Sequence, residues 1–199
     1  MDPLTAPFTE YIDKLASPDR SPAGLAAAAL SAAMGLALFE KALHNPQEGK
    51  PLKYDDLEVI GAIRRKLVGL AASDAKHLAG LEAALALADG AEKTAQVAAA
   101  RLAAYRSARR IVDYTIQGLT QVQRPLDWGS LGMLADIEVG WRMLAAALEG
   151  GIACAEDHLK QLSPDFAGGE WESLDQQIQQ GRELADRAHG GLSWRRGKV

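Results

Sequence analysis

Two aspartates occupy positions where a helical pattern predicts apolar side chains. Residues 55–88 form an amphipathic pattern in which Asp74 lies four residues from both Leu70 and Leu78, on the same face. A carboxylate on a core-facing stripe is costly unless it is paired, hydrogen-bonded or protonated. Burial would raise the pKa of Asp74, which makes it a candidate general acid or base, or an anchor for a ligand amide. A buried aspartate held by a neighbouring helix is the alternative.

Asp136 is the second such residue. It begins a helical face that continues through Gly140, Met143, Ala147, Gly151, Cys154 and His158. The alternative interpretation of Asp136 is electrostatic, because a carboxylate near a helix N-terminus is stabilised by the helix dipole.

Cys154 and His158 are four residues apart and share a helix face. This spacing fits half of a metal site or a thiolate–imidazole pair. No third ligand has a fitting helical spacing, so a buried thiol and a helix-end histidine is the simpler interpretation, and no metal is predicted. Asp136 lies 18 positions before Cys154, roughly 27 Å along a straight helix, so the two cannot act on one atom within a single subunit.

The composition predicts an all-α protein. The 199 residues are 48 % hydrophobic but only 6 % aromatic, and alanine and leucine, both strong helix formers, dominate over β-branched residues. This length suits a single domain over residues 1–199. The net charge of −4 argues against nucleic-acid binding, which needs a basic face.

The sequence also predicts a cytoplasmic location without membrane insertion. Residues 1–10 are acidic and contain two prolines, unlike a signal peptide. The most apolar stretch, residues 23–38, is about 16 residues long, shorter than the ~20 of a spanning helix. One cysteine cannot form an internal disulfide, in keeping with a reducing compartment.

Proline and glycine divide the chain into six predicted helices. The expected ranges are 5–16, 22–44, 55–88, 91–122, 130–162 and 170–189, with Ser21 as the N-cap of the second helix and a frayed tail over 190–199. Helices of this length predict a bundle of five to six, with long antiparallel helices.

The second predicted helix is too uniformly small and apolar to have a solvent face. It is expected to be central, or buried against another subunit through Ala26, Ala29, Leu30, Ala33 and Ala37. That alanine face favours close helix contact and predicts a homodimer with two-fold symmetry.

These segments, in this order, resemble the formiminotransferase-cyclodeaminase and methenyltetrahydrofolate cyclohydrolase family. The family has Leu-Ala-Ser followed by a Pro-Gly-Gly-Gly-Ser loop that opens an alanine-rich helix, and here residues 15–17 precede Pro22, Ala23 and Gly24 at that distance. The family's Asp-Ala pair matches Asp74-Ala75. The family has a late motif of Ser-Asp, Ala-Leu-Glu-Gly and two asparagines. This motif corresponds here to residues 135–136, residues 147–150, and Cys154 and His158. The resemblance covers about residues 7–188.

The departures from the family pattern fall on polar or glycine positions. Two loop glycines are Ala23 and Leu25, and the loop serine is Ala26. The serine before Asp136 is Ala135. The late asparagines are Cys154 and His158, and a frequent arginine between them is Glu156. Pro22, Gly24 and the two aspartates match.

The resemblance implies a folate enzyme that is all-helical and dimeric and uses no cofactor beyond its substrate. Such enzymes close 5-formiminotetrahydrofolate with loss of ammonia, or hydrate 5,10-methenyltetrahydrofolate. By this resemblance Asp74 and Asp136 are catalytic, with Asp74 transferring the proton and Asp136 orienting the pterin or a water. The same resemblance makes Pro22, Gly24, Cys154 and His158 substrate-binding residues. The alternative is a non-catalytic relative, a helical dimer scaffold or a module that binds a small molecule or a protein.

Overall fold

The protein is helical throughout the residues that the computed structural model describes, which are 8–18 and 23–197. The elements in chain order are α1 (Phe8–Leu15), α2 (Gly24–His44), α3 (Tyr54–Leu85), α4 (Ala91–Thr120), α5 (Gln123–Trp128), a 3-10 turn (Leu131–Met133), α6 (Leu134–Lys160) and α7 (Pro164–Arg196). No β-strand occurs in these ranges. The all-α bundle predicted from the composition is confirmed.

Two segments differ from the sequence prediction. The break expected at residues 124–129 contains the short helix α5, in which Pro125 and Leu126 are buried. The last helix begins at Pro164 rather than at residue 170, because Ser163 takes an extended conformation and proline is favoured in the first helical turn.

The predicted frayed tail at 190–199 is wrong for its described part. α7 continues to Arg196, and Leu192 and Arg195 are both buried. Leu192 belongs to the main hydrophobic core. Local sequence could not indicate this, because the segment is polar and rich in glycine and its order depends on contacts far away in the chain.

The long helices pack antiparallel around α6. Ser31 of α2 donates a hydrogen bond of 3.1 Å to the Met143 carbonyl, and a Cβ on Gly150 would lie 3.4 Å from Ala28, so residue numbers on α2 and α6 run in opposite directions. Gly118 and Gly151 place α4 against α6 in the same antiparallel sense. α7 packs on the outside, antiparallel to α6 and parallel to α4.

The central position expected for α2 is confirmed. Ala26, Ala29 and Ala33 are buried inside the protomer by the surrounding helices, whereas Ala37 is exposed. The face that was expected to meet a second subunit is therefore mostly covered within one chain, and it gives no independent argument for a dimer.

The apolar helix α2 is longer than the apolar stretch of residues 23–38 alone, so its length does not argue against a membrane span. α2 has 21 residues, and it is the one helix in the described ranges long and apolar enough to cross a bilayer. In the most apolar 18-residue stretch of α2, 56 % is buried inside the bundle. A helix in the core of a bundle can be as long and as apolar as a membrane-spanning helix. Burial, rather than insufficient length, explains its composition.

Candidate functional site

Four helices meet at one end of the bundle around a cavity of about 340 Å³, which we call the Asp74 cavity. The N-terminus of α2 closes one side, and α3, α4 and α6 supply the rest. Its lining residues are Ala23, Gly24, Leu25, Asp74, His77, Leu78, Leu81, Ala104, Ala153, Cys154, Asp157 and His158. The antiparallel packing explains this meeting, because the start of α2, the second half of α3 and the end of α6 all lie at the same end.

Asp74 is the buried acid of this cavity. It is 8 % exposed, and its Oδ2 atom is buried without a hydrogen-bond partner. Burial raises the pKa of Asp74, while hydrogen bonds from the backbone at Ala23 and Ala26 and the charges of His77 and His158 oppose the rise. The carboxyl thus lies against the N-terminus of α2 and keeps one oxygen available, an arrangement suited to exchanging a proton with a bound molecule.

His158 and Cys154, which the sequence places on one helix face, line the same cavity as Asp74. Burial lowers the pKa of His158, against the opposing influence of Asp157 and Asp74. Burial also raises the pKa of the Cys154 thiol, and Asp74 and Asp157 raise it further. At neutral pH the structure therefore favours a neutral imidazole and a protonated thiol, rather than a thiolate–imidazolium pair.

His77 is a further histidine of the cavity, one turn after Asp74 on α3. Its Nδ1 atom is buried without a hydrogen-bond partner. Ser73, the residue before Asp74, donates to the Leu70 carbonyl at 2.9 Å. On its own helix, Asp74 is therefore influenced by the charge of His77, which opposes the rise of its pKa.

Tyr11 is the residue that sequence reasoning missed. It is 2 % exposed on the short helix α1, and its hydroxyl has no hydrogen-bond partner. Burial raises the pKa of Tyr11, and the charge of Asp74 raises it further, which places the phenol in the electrostatic field of the carboxylate. Its position on the apolar side of α1 was visible in the sequence, but nothing local indicated that α1 packs near α3.

The loop expected to contact a ligand is only partly described. Pro22 and the predicted N-cap Ser21 lie outside the described residues, whereas Gly24 and Leu25 line the Asp74 cavity. No atom lies within 4 Å of the place where a Cβ on Gly24 would be. Gly24 therefore leaves space open beside the cavity, and Leu25 contributes an apolar wall.

Asp136 lies elsewhere in the protomer. Its carboxylate forms an ion pair of 2.7 Å with Lys41, and its side chain is 31 % exposed. It does not line the Asp74 cavity, which uses the opposite end of α6. The structure therefore separates the two aspartates, and the apolar burial expected for Asp136 is wrong, because the first turn of α6 is accessible to solvent there, whereas Gly140 further along the same face is buried against α2.

Histidine, cysteine and aspartate side chains, which are common metal ligands, all line the cavity. Within the described residues, no group of three or more histidine, cysteine, aspartate or glutamate side chains is arranged to hold a metal ion. The side chains present instead offer proton donors and acceptors in a partly apolar enclosure, which suits acid–base chemistry or binding of a neutral heterocycle.

Comparison with known proteins gives a family and a fold. A family model described as formiminotransferase-cyclodeaminase matches residues 7–166. The crystal structure of a formiminotetrahydrofolate cyclodeaminase from Thermotoga maritima matches 96 % of this chain and 97 % of its own, with a TM-score of 0.82 and 18 % sequence identity. At that identity the likeness shows a shared fold. No curated protein matches this chain significantly.

Proposed function

Because this chain belongs to the formiminotransferase-cyclodeaminase family, we propose that it acts on a one-carbon derivative of tetrahydrofolate, either 5-formimino- or 5,10-methenyltetrahydrofolate. The observation that carries the proposal is the buried Asp74 carboxyl, which has a free Oδ2 and lines a cavity of about 340 Å³. A cavity that is largely apolar, with few polar groups, is the usual form of a small-molecule site.

Asp74 transfers the proton in this proposal. In cyclodeamination, N10 of the folate attacks the formimino carbon, and the N10 proton leaves as the new bond forms. The formimino group reacts as its protonated amidinium, so attack by N10 leaves an –NH2 group on the carbon. The carboxylate accepts the N10 proton and delivers it to this –NH2 group, which leaves as ammonia when its bond to carbon breaks. In hydration of the methenyl carbon, the same group removes a proton from the attacking water. The bond between that carbon and N5 then breaks as N5 takes up a proton and the new hydroxyl loses its own, which gives the 10-formyl product with one proton released. The raised pKa of Asp74 brings its two protonation states closer in energy, as such a shuttle requires.

His158 and Tyr11 support this role in different ways. A neutral His158, with its pKa lowered by burial, can accept or donate one hydrogen bond to a heterocycle without adding charge. Tyr11 is a buried hydroxyl near Asp74 and can donate to the carboxylate or to a ligand. Gly24 leaves room for close approach of the ligand to the start of α2.

The assembly and the cellular location of the enzyme belong to the same proposal. The enzyme acts as a cytoplasmic homodimer without a metal or further cofactor, and needs neither nucleic acid nor membrane. Asp136, paired with Lys41, orients a pterin or a water only where a second copy of the chain brings it near a cavity. The alternative, a non-catalytic relative that kept the scaffold, is supported by Leu25 and Ala26 at positions where the family has a glycine and a serine.

The deciding experiment is turnover. Purified protein is mixed with 5,10-methenyltetrahydrofolate, and the decay of its absorbance is compared with the uncatalysed decay. Release of ammonia from 5-formiminotetrahydrofolate is measured in parallel. Asp74→Asn is expected to reduce the rate by 10²- to 10⁴-fold, the usual contribution of a positioned acid or base.

Asp113→Asn is the matched control. Asp113 is a partly buried aspartate on α4 whose pKa is also raised by burial, but it accepts a hydrogen bond from Gln177 of α7, away from the cavity. The control is expected to keep wild-type turnover. If the wild-type protein accelerates neither reaction, the enzymatic proposal is wrong and the scaffold alternative replaces it.

A further inference from the structure

A second cavity, of about 730 Å³, lies beside α3, α4 and the end of α6, the three helices that form most of the Asp74 cavity. We call it the outer cleft. The residues that matter for its chemistry are Leu85, Lys93, Val97, Arg101, Leu102 and Gln161. None of them was singled out by the sequence analysis, and none lines the Asp74 cavity.

The two cavities occupy successive turns of the same helices. On α3, Leu81 lines the Asp74 cavity and Leu85 the outer cleft, four residues or about 6 Å further along. Asp157 near the end of α6 and Gln161, its C-cap residue, are related in the same way. Since α4 runs antiparallel, its sequence order reverses, and Ala104 lies at the Asp74 cavity. The cavities are therefore consecutive sections of one groove.

The two sections carry opposite charge. The Asp74 cavity has the carboxyls of Asp74 and Asp157. The outer cleft has two cations, Lys93 and Arg101, and one carboxylate, Asp89. Asp89, whose side chain is 97 % exposed, forms an ion pair of 2.9 Å with Lys93, so Arg101 leaves the cleft with one net positive charge.

Arg101 is the better-placed cation. Its Nη1 atom donates only a long hydrogen bond of 3.3 Å to the Gln161 carbonyl, and its Nε atom is buried without a partner. A guanidinium has five N–H donors, so Arg101 keeps Nη donors for a charge-assisted pair with a carboxylate. Leu85, Val97 and Leu102 add an apolar wall beside this cation.

We propose that the outer cleft binds the glutamate tail of the folate whose one-carbon end occupies the Asp74 cavity, an inference that rests on the proposed function. Tetrahydrofolate is elongated, with an uncharged pterin at one end, a benzoyl ring in the middle and carboxylates at the other. In this orientation the carboxylates meet Arg101 and Lys93, the ring lies against the apolar wall, and the anionic end is kept away from Asp74. The opposite orientation places carboxylates beside Asp74 and is disfavoured by like-charge repulsion.

The test compares two probes by calorimetry, 5-formyltetrahydrofolate and 5-formyltetrahydropteroate, which lacks the glutamate. Arg101→Met is expected to weaken binding of the first probe by about 10- to 100-fold, the loss typical of a charged hydrogen bond, and to leave the second within about twofold. Lys93→Met is expected to show the same selectivity with a smaller loss. Arg106→Met, an exposed arginine further along α4, is the matched control and leaves both affinities unchanged.

Each outcome of this test is decisive. If Arg101→Met and Lys93→Met, verified as folded by thermal melting, weaken both probes equally or neither, the tail does not occupy the outer cleft, while the proposed function stands. If wild-type protein binds neither probe, the folate proposal itself is wrong and this inference is overturned with it.

Discussion

The backbones of α2 and α6 are in contact where Gly35 meets Gly140. A Cβ on Gly35 would lie 2.5 Å from the Gly140 carbonyl oxygen, and one on Gly140 would lie 2.7 Å from the Gly35 carbonyl oxygen. No side chain can intervene, so this crossing sets the spacing of the two central helices. Both the Asp74 cavity and the core depend on it, because α2 and α6 each contribute a wall of the cavity.

Gly35→Ala is expected to destabilise the fold by about 1–3 kcal/mol, because overpacking forces two helices apart. Gly69→Ala on α3 is the control, since nothing lies within 4 Å of its Cβ position. Alanine is the better helix former, so the control is expected to be neutral or stabilising by up to about 1 kcal/mol. Urea unfolding measures both, and equal stability of the two variants would contradict the close crossing.

Asp74→Asn is expected to raise stability at neutral pH while lowering turnover. Burial raises the folded-state pKa of Asp74, so the folded protein binds the proton more tightly than the unfolded chain. This tighter proton binding stabilises the folded wild type fully when the pH is below the unfolded-state pKa of about 3.9. The stabilisation is lost as the pH rises through the higher pKa of the folded state. Asparagine does not ionise, so the stability of the variant relative to wild type increases as the pH rises between these two pKa values.

Thermal melting at a series of pH values checks this expectation. A gain of a few degrees at pH 7 is expected, with little gain near pH 4. The exposed Asp175→Asn on α7 serves as the control and is expected to show no such pH dependence. A pH-independent difference for Asp74→Asn would mean that folding does not shift the pKa of this carboxyl, which would contradict the raised pKa.

The family departures at Leu25 and Ala26 are expected to weaken folate binding. Leu25 is buried, so Leu25→Gly widens the cavity but also removes core contacts. Ala26→Ser adds a hydroxyl in the first turn of α2, near Asp74, at smaller cost. Calorimetry is expected to show that Ala26→Ser binds 5-formyltetrahydrofolate about fivefold more tightly than wild type does. This is the effect of about 1 kcal/mol from one hydrogen bond. Ala27→Ser, in the same turn but not in the core, is the control.

The predicted homodimer is best tested at Met34. Ala33 is 4 % exposed and lies in the protomer core, so Ala33→Glu would unfold the chain rather than separate subunits. Met34 is 42 % exposed on the outer side of α2. Sedimentation is expected to give a dimer for wild type and weaker association for Met34→Glu, with Met34→Leu as the control. A wild-type monomer at micromolar concentration would remove the dimer from the proposal.

Arg195→Met is expected to destabilise the protein by about 1–3 kcal/mol. Arg195 is 7 % exposed, and its Nη2 donates a hydrogen bond of 2.6 Å to the Gly129 carbonyl, which joins the end of α7 to the loop after α5. Arg187→Met, at an exposed site of α7, is the control. Hydrogen exchange of residues 190–196 gives a local measure, and unprotected amides there in wild type would restore the frayed-tail interpretation.

The sequence by itself determined the helical class, the family and the position of one buried carboxyl, Asp74. Helix periodicity identified Asp74 because a carboxylate interrupts a leucine stripe, and Cys154 and His158 because their spacing puts them on one face. These are local signals, in which the position of one residue relative to its neighbours on the same helix predicts burial. Family resemblance added the folate hypothesis through short motifs.

The tertiary structure decided which of these residues share a site. Tyr11 approaches Asp74 and Asp136 does not, since helices that are distant in sequence meet according to their packing and direction. Periodicity does not predict the register of α2 on α6, which is set where Gly35 meets Gly140. It does not predict the burial of Arg195 either. Both depend on contacts between segments that are separated by many residues. The enclosure of the outer cleft likewise exists only where α3, α4 and the residues after α6 come together, although its charged residues all lie within 89–101.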